Sequence, residues 1–136
     1  MQTFLPYSDF TKTAKVLDRA RLGKQRIEAK QILQILLNET STKGWRNHPA
    51  VKMWIGFEAK LAEYGVAICT EWIARGYVDN QLSYFSARTT QSADAPEWLG
   101  DEEFHKAHQS NLVRKDAEHY RKYFDIVDDL PYVWPV

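Results

Sequence analysis

Apolar residues recur at helical spacing from Phe10 to about Asn38, and only the residues around Asp18, between Leu17 and Ala20, interrupt them. Ser8 or Asp9 can cap the start of this run. Within it, Leu22, Ala29, Ile32, Leu33 and Leu36 form a core-facing stripe. Arg21, Lys24, Glu28 and Gln31 share a second stripe about 80° wide. Arg19, Arg26 and Lys30 gather on a third face. Glu39 to Gly44, ETSTKG, reads as a turn-rich linker. A helix is predicted to start at Pro49, where the missing N–H costs nothing. It should carry Val51, Trp54, Ile55, Phe57 and Leu61 inward, bend or divide at Gly65, continue through Ile68, Trp72 and Ile73, and stop at Gly76. Tyr77 to Trp98 has little helical or strand character, with Thr89, Thr90, Gln91, Ser92, Ala93, Asp94 and Pro96 in its second half. Asp101 to Lys115 reads as helix, Asp116 as the cap of a short helix to Tyr123, and IVDDLPYVWPV as an irregular strap. With no alternating strand pattern and no internal repeat, the expectation is an all-α fold: a compact helical bundle of one domain, residues 1–136, with irregular loops and an extended C-terminal tail.

Composition adds one feature to that pattern. The chain of 136 residues is formally neutral, yet residues 1–56 carry ten Lys/Arg against four Asp/Glu and residues 57–136 carry eight against fourteen. A basic face for phosphates is therefore compatible with an overall neutral protein, as is packing of one half against the other. Hydrophobic residues at 44% suffice for a real core. The single Cys69 excludes an intrachain disulfide and fits a reducing compartment. No stretch approaches the roughly 18 apolar residues of a membrane span, and the start MQTFLPYSDF lacks the features of a signal peptide. A soluble, cytoplasmic monomer is expected.

Three polar clusters are candidates for chemistry. The first is the stripe of Arg21, Lys24, Glu28 and Gln31, which also reads as a surface face laced by ion pairs such as Lys24 with Glu28. The second is Trp45, Arg46, Asn47 and His48, where a helix start offers N–H groups to an anion; Asn47 and His48 can equally be plain caps. The third is HQSNLVRKDAEHY, with His108, Ser110, Asn111, Arg114, Lys115 and His119, whose histidines suit the surface or a satisfied core as well as a ligand. No HExxH, paired cysteines, nucleophile elbow or phosphate loop is present, so neither a metal nor a cofactor is implied. Basic side chains beside amides, imidazoles and aromatic rings suit a ligand with phosphates and bases. Glu28 is then the odd residue. A carboxylate repels phosphates, but it can stabilise positive charge developing on a sugar as a base leaves, or move protons on the ribose.

The runs LDRARLGKQRIEAKQIL, GWRNHPAVKMW and HQSNLVRKDAEHYRKYF and the closing LPYVW resemble a bacterial and phage family classed with the pyrimidine-dimer DNA glycosylases, the endonuclease V of DNA repair. The resemblance to that small family spans nearly the whole chain. Likeness to the phage enzyme itself reduces to a helix in which a Leu precedes a Glu by six residues, as Leu22 precedes Glu28. The resemblance implies a compact helical protein of a bacterial or phage-infected cell that binds damaged double-stranded DNA without metal. It also implies that a main-chain α-amine attacks the deoxyribose C1′, that a Schiff base forms as the glycosidic bond breaks, that β-elimination cleaves the strand, and that a glutamate is essential.

Carried over by position, the catalytic residues are Glu28 and the amine of Met1. The candidate DNA contacts are Arg21, Lys24, Gln25, Arg26, Arg46, Asn47, His48, His108, Asn111, Arg114 and Lys115. The phage enzyme loses its initiator Met to expose a small residue, whereas the bulky Gln2 predicts that Met1 is retained here. The nucleophile is then the Met1 amine or a lysine such as Lys24, unless the scaffold performs other chemistry. An α-amine, with a reference pKa of about 7.7–8.0 against about 10.4 for lysine, is suited to imine formation near neutrality without burial. Two other readings stay open: a glycosylase for another modified base or nucleotide that uses no amine nucleophile, and a non-catalytic nucleic-acid-binding module.

Overall fold

The computed structural model describes residues 1–41, 44–90 and 93–136. It is all-α. The elements are α1 (Phe10–Val16), α2 (Arg19–Leu36), α3 (Pro49–Lys52), α4 (Glu58–Ala74), α5 (Leu82–Ser86), α6 (Glu102–Lys115) and α7 (Ala117–Tyr120), with no strand among the described residues.

Local signals set most boundaries. Asp9 accepts from the Lys12 N–H and starts α1, and Asp18 accepts from the Arg21 N–H and starts α2. The interruption seen in the sequence is thus a true break, with Leu17 extended at φ −65°, ψ 136°. Asp101 and Asp116 cap α6 and α7 in the same way. Gly76, at φ +94°, follows the last turn of α4, as a left-handed terminator should.

The α2 and α4 helices form the main packed pair. Leu22, Ala29, Ile32 and Leu33 of α2 are buried, as are Leu61, Ala62, Tyr64 and Ile68 of α4. Gly23 lets the two helices approach: a Cβ there would lie 2.9 Å from the Trp72 ring.

The structure corrects four sequence expectations. Gly65 neither bends nor divides α4; a Cβ there would sit 2.2 Å from the Phe85 ring, so the glycine admits α5 against α4. The helix starting at Pro49 ends at Lys52, because Gly56 at φ +86° interrupts it before α4 begins. Ile55, in that interruption, is 59% exposed instead of inward. The Tyr77 to Trp98 connection holds a short helix, α5, anchored by the fully buried Phe85. Thr42 and Lys43 of the ETSTKG linker and Gln91 and Ser92 of the later loop lie outside the described residues. No described helix is long and apolar enough to cross a membrane.

Candidate active site

The first residues of the chain run through the interior, and side chains satisfy their main-chain groups. The Gln2 N–H donates to Glu28 Oε2 at 2.9 Å, and the Gln2 carbonyl accepts from Gln25 Nε2 at 2.8 Å. The Phe4 N–H donates to Gln25 Oε1 at 3.1 Å, so one carboxamide pairs with the segment as a neighbouring strand would. The Tyr64 hydroxyl lies 2.8 Å from the Phe4 carbonyl and 2.7 Å from Gln25 Oε1, and its single proton serves one of them at a time. Trp54 Nε1 donates to the Thr3 hydroxyl at 3.2 Å. Each of these groups would cost about 1–3 kcal/mol if buried without a partner. That is why a buried segment outside any helix or sheet can hold one position.

Two histidines clasp Leu5. The Leu5 N–H donates to His108 Nδ1 at 3.1 Å, and His105 Nδ1 lies 2.7 Å from the Leu5 carbonyl. Because His105 Nε2 accepts from the Gly100 N–H at 2.9 Å, its proton belongs on Nδ1 and it is the donor to Leu5. His108 carries its proton on Nε2. Burial, with the neighbouring His105 adding to it, pushes the His108 pKa down to about 3. Burial also lowers His105, against the opposing pull of the Leu5 carbonyl. Both rings act as neutral hydrogen-bonding struts.

This scaffold delivers the Met1 end of the chain into a cleft of about 460 Å³, lined by Met1, Gln2, Arg21, Lys24, Glu28 and His48, with Lys115, Tyr132 and Trp134 closing it. Glu28 is partly buried there and pairs with Lys24 Nζ at 3.5 Å. His48 faces the amino terminus: burial first, and then the positive charge of the α-amine, lower its pKa. Arg21 is held by Asp18 at 3.2 Å, and Asp18 in turn accepts a hydrogen bond from the Tyr120 hydroxyl. Burial alone would raise the Asp18 pKa, but the bonds from Tyr120 and Arg21 outweigh it and hold the carboxyl below its usual value. Burial, and then the Glu28 charge, keep the Tyr64 phenol well above its ordinary value and therefore neutral. Among the described residues no group of three or more His, Cys, Asp or Glu is placed to hold a metal ion.

The cleft collects only part of the residue set proposed from sequence. Met1, Arg21, Lys24, Glu28, His48 and Lys115 meet in it, and Gln25 lies beneath as a clamp that is 1% exposed. Arg26 points to another side of α2, paired with Asp79 at 2.7 Å and 4.9 Å from the Trp72 ring centre. Arg46 is exposed and donates to Asn38 Oδ1 at 2.8 Å, and Asn47 is exposed outside the cleft lining. His108 and Asn111 are buried in the core. Asn111 donates to the Ala107 and Leu130 carbonyls at 2.7 and 3.2 Å, and Arg114 donates to Asp128 and Leu130 carbonyls at 2.9 and 3.3 Å. The Ser110 hydroxyl accepts from the Leu130 N–H at 3.1 Å. The third cluster therefore fastens both ends of the chain, and the fastened tail brings Tyr132 and Trp134 to the cleft. Sequence reasoning gave Gln2 and Asp18 no contact in the site and passed over Tyr120 and His105. Only the aromatic LPYVW ending gave a signal for the tail's place in the site.

The fold and cleft define an all-helical protein whose amino-terminal segment is fixed beside one carboxylate in a basic, aromatic-edged site. A family model described as pyrimidine dimer DNA glycosylase matches residues 1–84, a stretch that includes Met1, Glu28 and His48, and the chain belongs to that family. No curated protein and no solved structure matches it.

Proposed function

We propose that the chain cleaves the glycosidic bond of a damaged pyrimidine in duplex DNA by attack of the Met1 α-amine on C1′, with Glu28 as the proton-transferring carboxylate, and then cleaves the strand at the abasic site. The observation that carries this reading is the Gln2 N–H bond to Glu28 Oε2, which ties the first peptide unit to the carboxylate. In the reaction, the amine lone pair forms the C1′–N bond and the glycosidic electron pair leaves with the base. Glu28 accepts the proton lost by the amine and returns it to O4′ as the sugar ring opens to the imine. Removal of a C2′ proton then expels the 3′ phosphate by β-elimination. Arg21, Lys24 and Lys115 line the cleft and would neutralise phosphates flanking the lesion, and Tyr132 and Trp134 would offer rings to bases at its edge.

The test is a duplex carrying one cyclobutane pyrimidine dimer, assayed for glycosidic cleavage and for strand scission. Both are expected. Binding to the lesion without cleavage would leave a recognition module, and cleavage of the glycosidic bond without any imine would move the chemistry to Glu28 acting on water.

A further inference from the structure

His48 is set apart from the cations of the cleft. Its Nδ1 accepts the Ala50 N–H at 3.0 Å as the cap of α3, which uses the lone pair on that nitrogen. In the neutral ring the proton therefore belongs on Nε2. The Trp45 and Trp134 rings meet the imidazole at 5.5 and 5.8 Å between centroids, at 64° and 89°, and restrict its rotation. Nε2 has no protein partner among the described residues, while the ring lines the same cleft as Met1 and Glu28. A fixed donor is thus held beside the reacting end of the chain with no partner among the described residues.

Resting on the amine chemistry proposed above, we propose that His48 is a catalytic residue whose Nε2–H hydrogen-bonds the O2 carbonyl of the departing pyrimidine. When C1′–N1 breaks, its electron pair resides on N1 and spreads to O2. Glu28 is committed to the amine proton and O4′, and a neutral N–H aimed at O2 can stabilise that anion. His48 keeps its proton throughout, and N1 takes one from solvent. Burial and the nearby α-amine charge both favour the neutral ring that this role requires. Removing one pre-positioned donor to a developing anion typically lowers turnover about 10²–10³-fold.

Two variants separate the two ring nitrogens. His48→Asn keeps an acceptor near the Nδ1 position and so the cap, but has no donor at Nε2. His48→Gln reaches the Nε2 position with an N–H and gives up the cap. Both are assayed in single turnover on a duplex with one cyclobutane dimer and on the same duplex with an aldehydic abasic site, where no base has to leave. For His48→Asn, glycosidic cleavage should fall about 100-fold, at least tenfold more than borohydride trapping on the abasic duplex, with little change in Tm. His48→Gln should melt lower yet cleave the glycosidic bond at least tenfold faster than His48→Asn. Equal losses on the two substrates, unchanged glycosidic cleavage, or His48→Gln no better than His48→Asn would overturn the assignment. Wild-type protein that cleaves the glycosidic bond but is never trapped on the abasic duplex refutes the amine reading instead, and the fall in glycosidic cleavage for His48→Asn still decides the role of His48.

Discussion

The Gln2 N–H and the Glu28 carboxylate are 2.9 Å apart, a contact that spans 26 residues of sequence and joins the amino-terminal segment to α2. Glu28 therefore has two tasks, one structural and one chemical, and Glu28→Gln separates them. The amide oxygen can still accept from Gln2, so Tm should stay within a few degrees, while glycosidic cleavage should fall about 10²–10⁴-fold through loss of the proton acceptor. Thermal melting beside single-turnover kinetics checks both halves.

Gln25 contacts the same segment twice. Gln25→Ala leaves the Gln2 carbonyl and the Phe4 N–H without their partners. The expected loss is about 1–3 kcal/mol for each orphaned group, reduced where water enters. Urea denaturation should show the lower stability, and activity should fall because the Met1 end is no longer fixed.

The histidine clasp predicts acid sensitivity. His108 has a folded pKa of about 3, and His105 is also lowered, against an unfolded value near 6.5. A lowered histidine pKa means that the unfolded chain binds more protons below about pH 6.5. The stability contributed by each neutral ring is complete above that pH and is lost as pH falls toward the folded value, by up to about 1.4 kcal/mol per pH unit for each. Melting curves from pH 7 to pH 4 should show a steady fall. His108→Asn, which offers Leu5 an acceptor that does not titrate, should give a shallower slope.

Charge placement separates two basic residues that look alike in sequence. Lys115 lines the cleft, whereas Arg26 is committed to Asp79. Lys115→Ala should weaken DNA binding and reduce the salt dependence of log K by about 0.9, the value for one phosphate contact. Arg26→Ala should lower Tm and leave that slope unchanged. Fluorescence anisotropy across a salt series measures both slopes.

What the sequence revealed divides by range. The α1–α2 break and the caps at Asp9 and Asp116 were legible because a cap is a local bond within three residues. The stripe of Arg21, Lys24 and Glu28 was legible because helical period alone places them together. Gly65 misled, because its reason is Phe85, twenty residues further on and closer than any side chain would allow. His108 and Asn111 look like nucleic-acid contacts beside Arg114 and Lys115 until the fold shows His108 bonded to Leu5, a partner 103 residues away. No periodicity encodes such a pairing. The same holds for Gln25, which shares a helix with the site but turns to the core to hold the segment that carries the amine.

The most direct test of the central claim is to trap the imine and locate it. Protein of verified intact mass is incubated with abasic duplex and borohydride, digested, and the DNA-linked peptide sequenced by mass spectrometry. The expected adduct is on the α-amine of Met1, and it should persist in Lys24→Ala. An adduct on Lys24, or none from protein whose amino terminus is intact, would contradict the account.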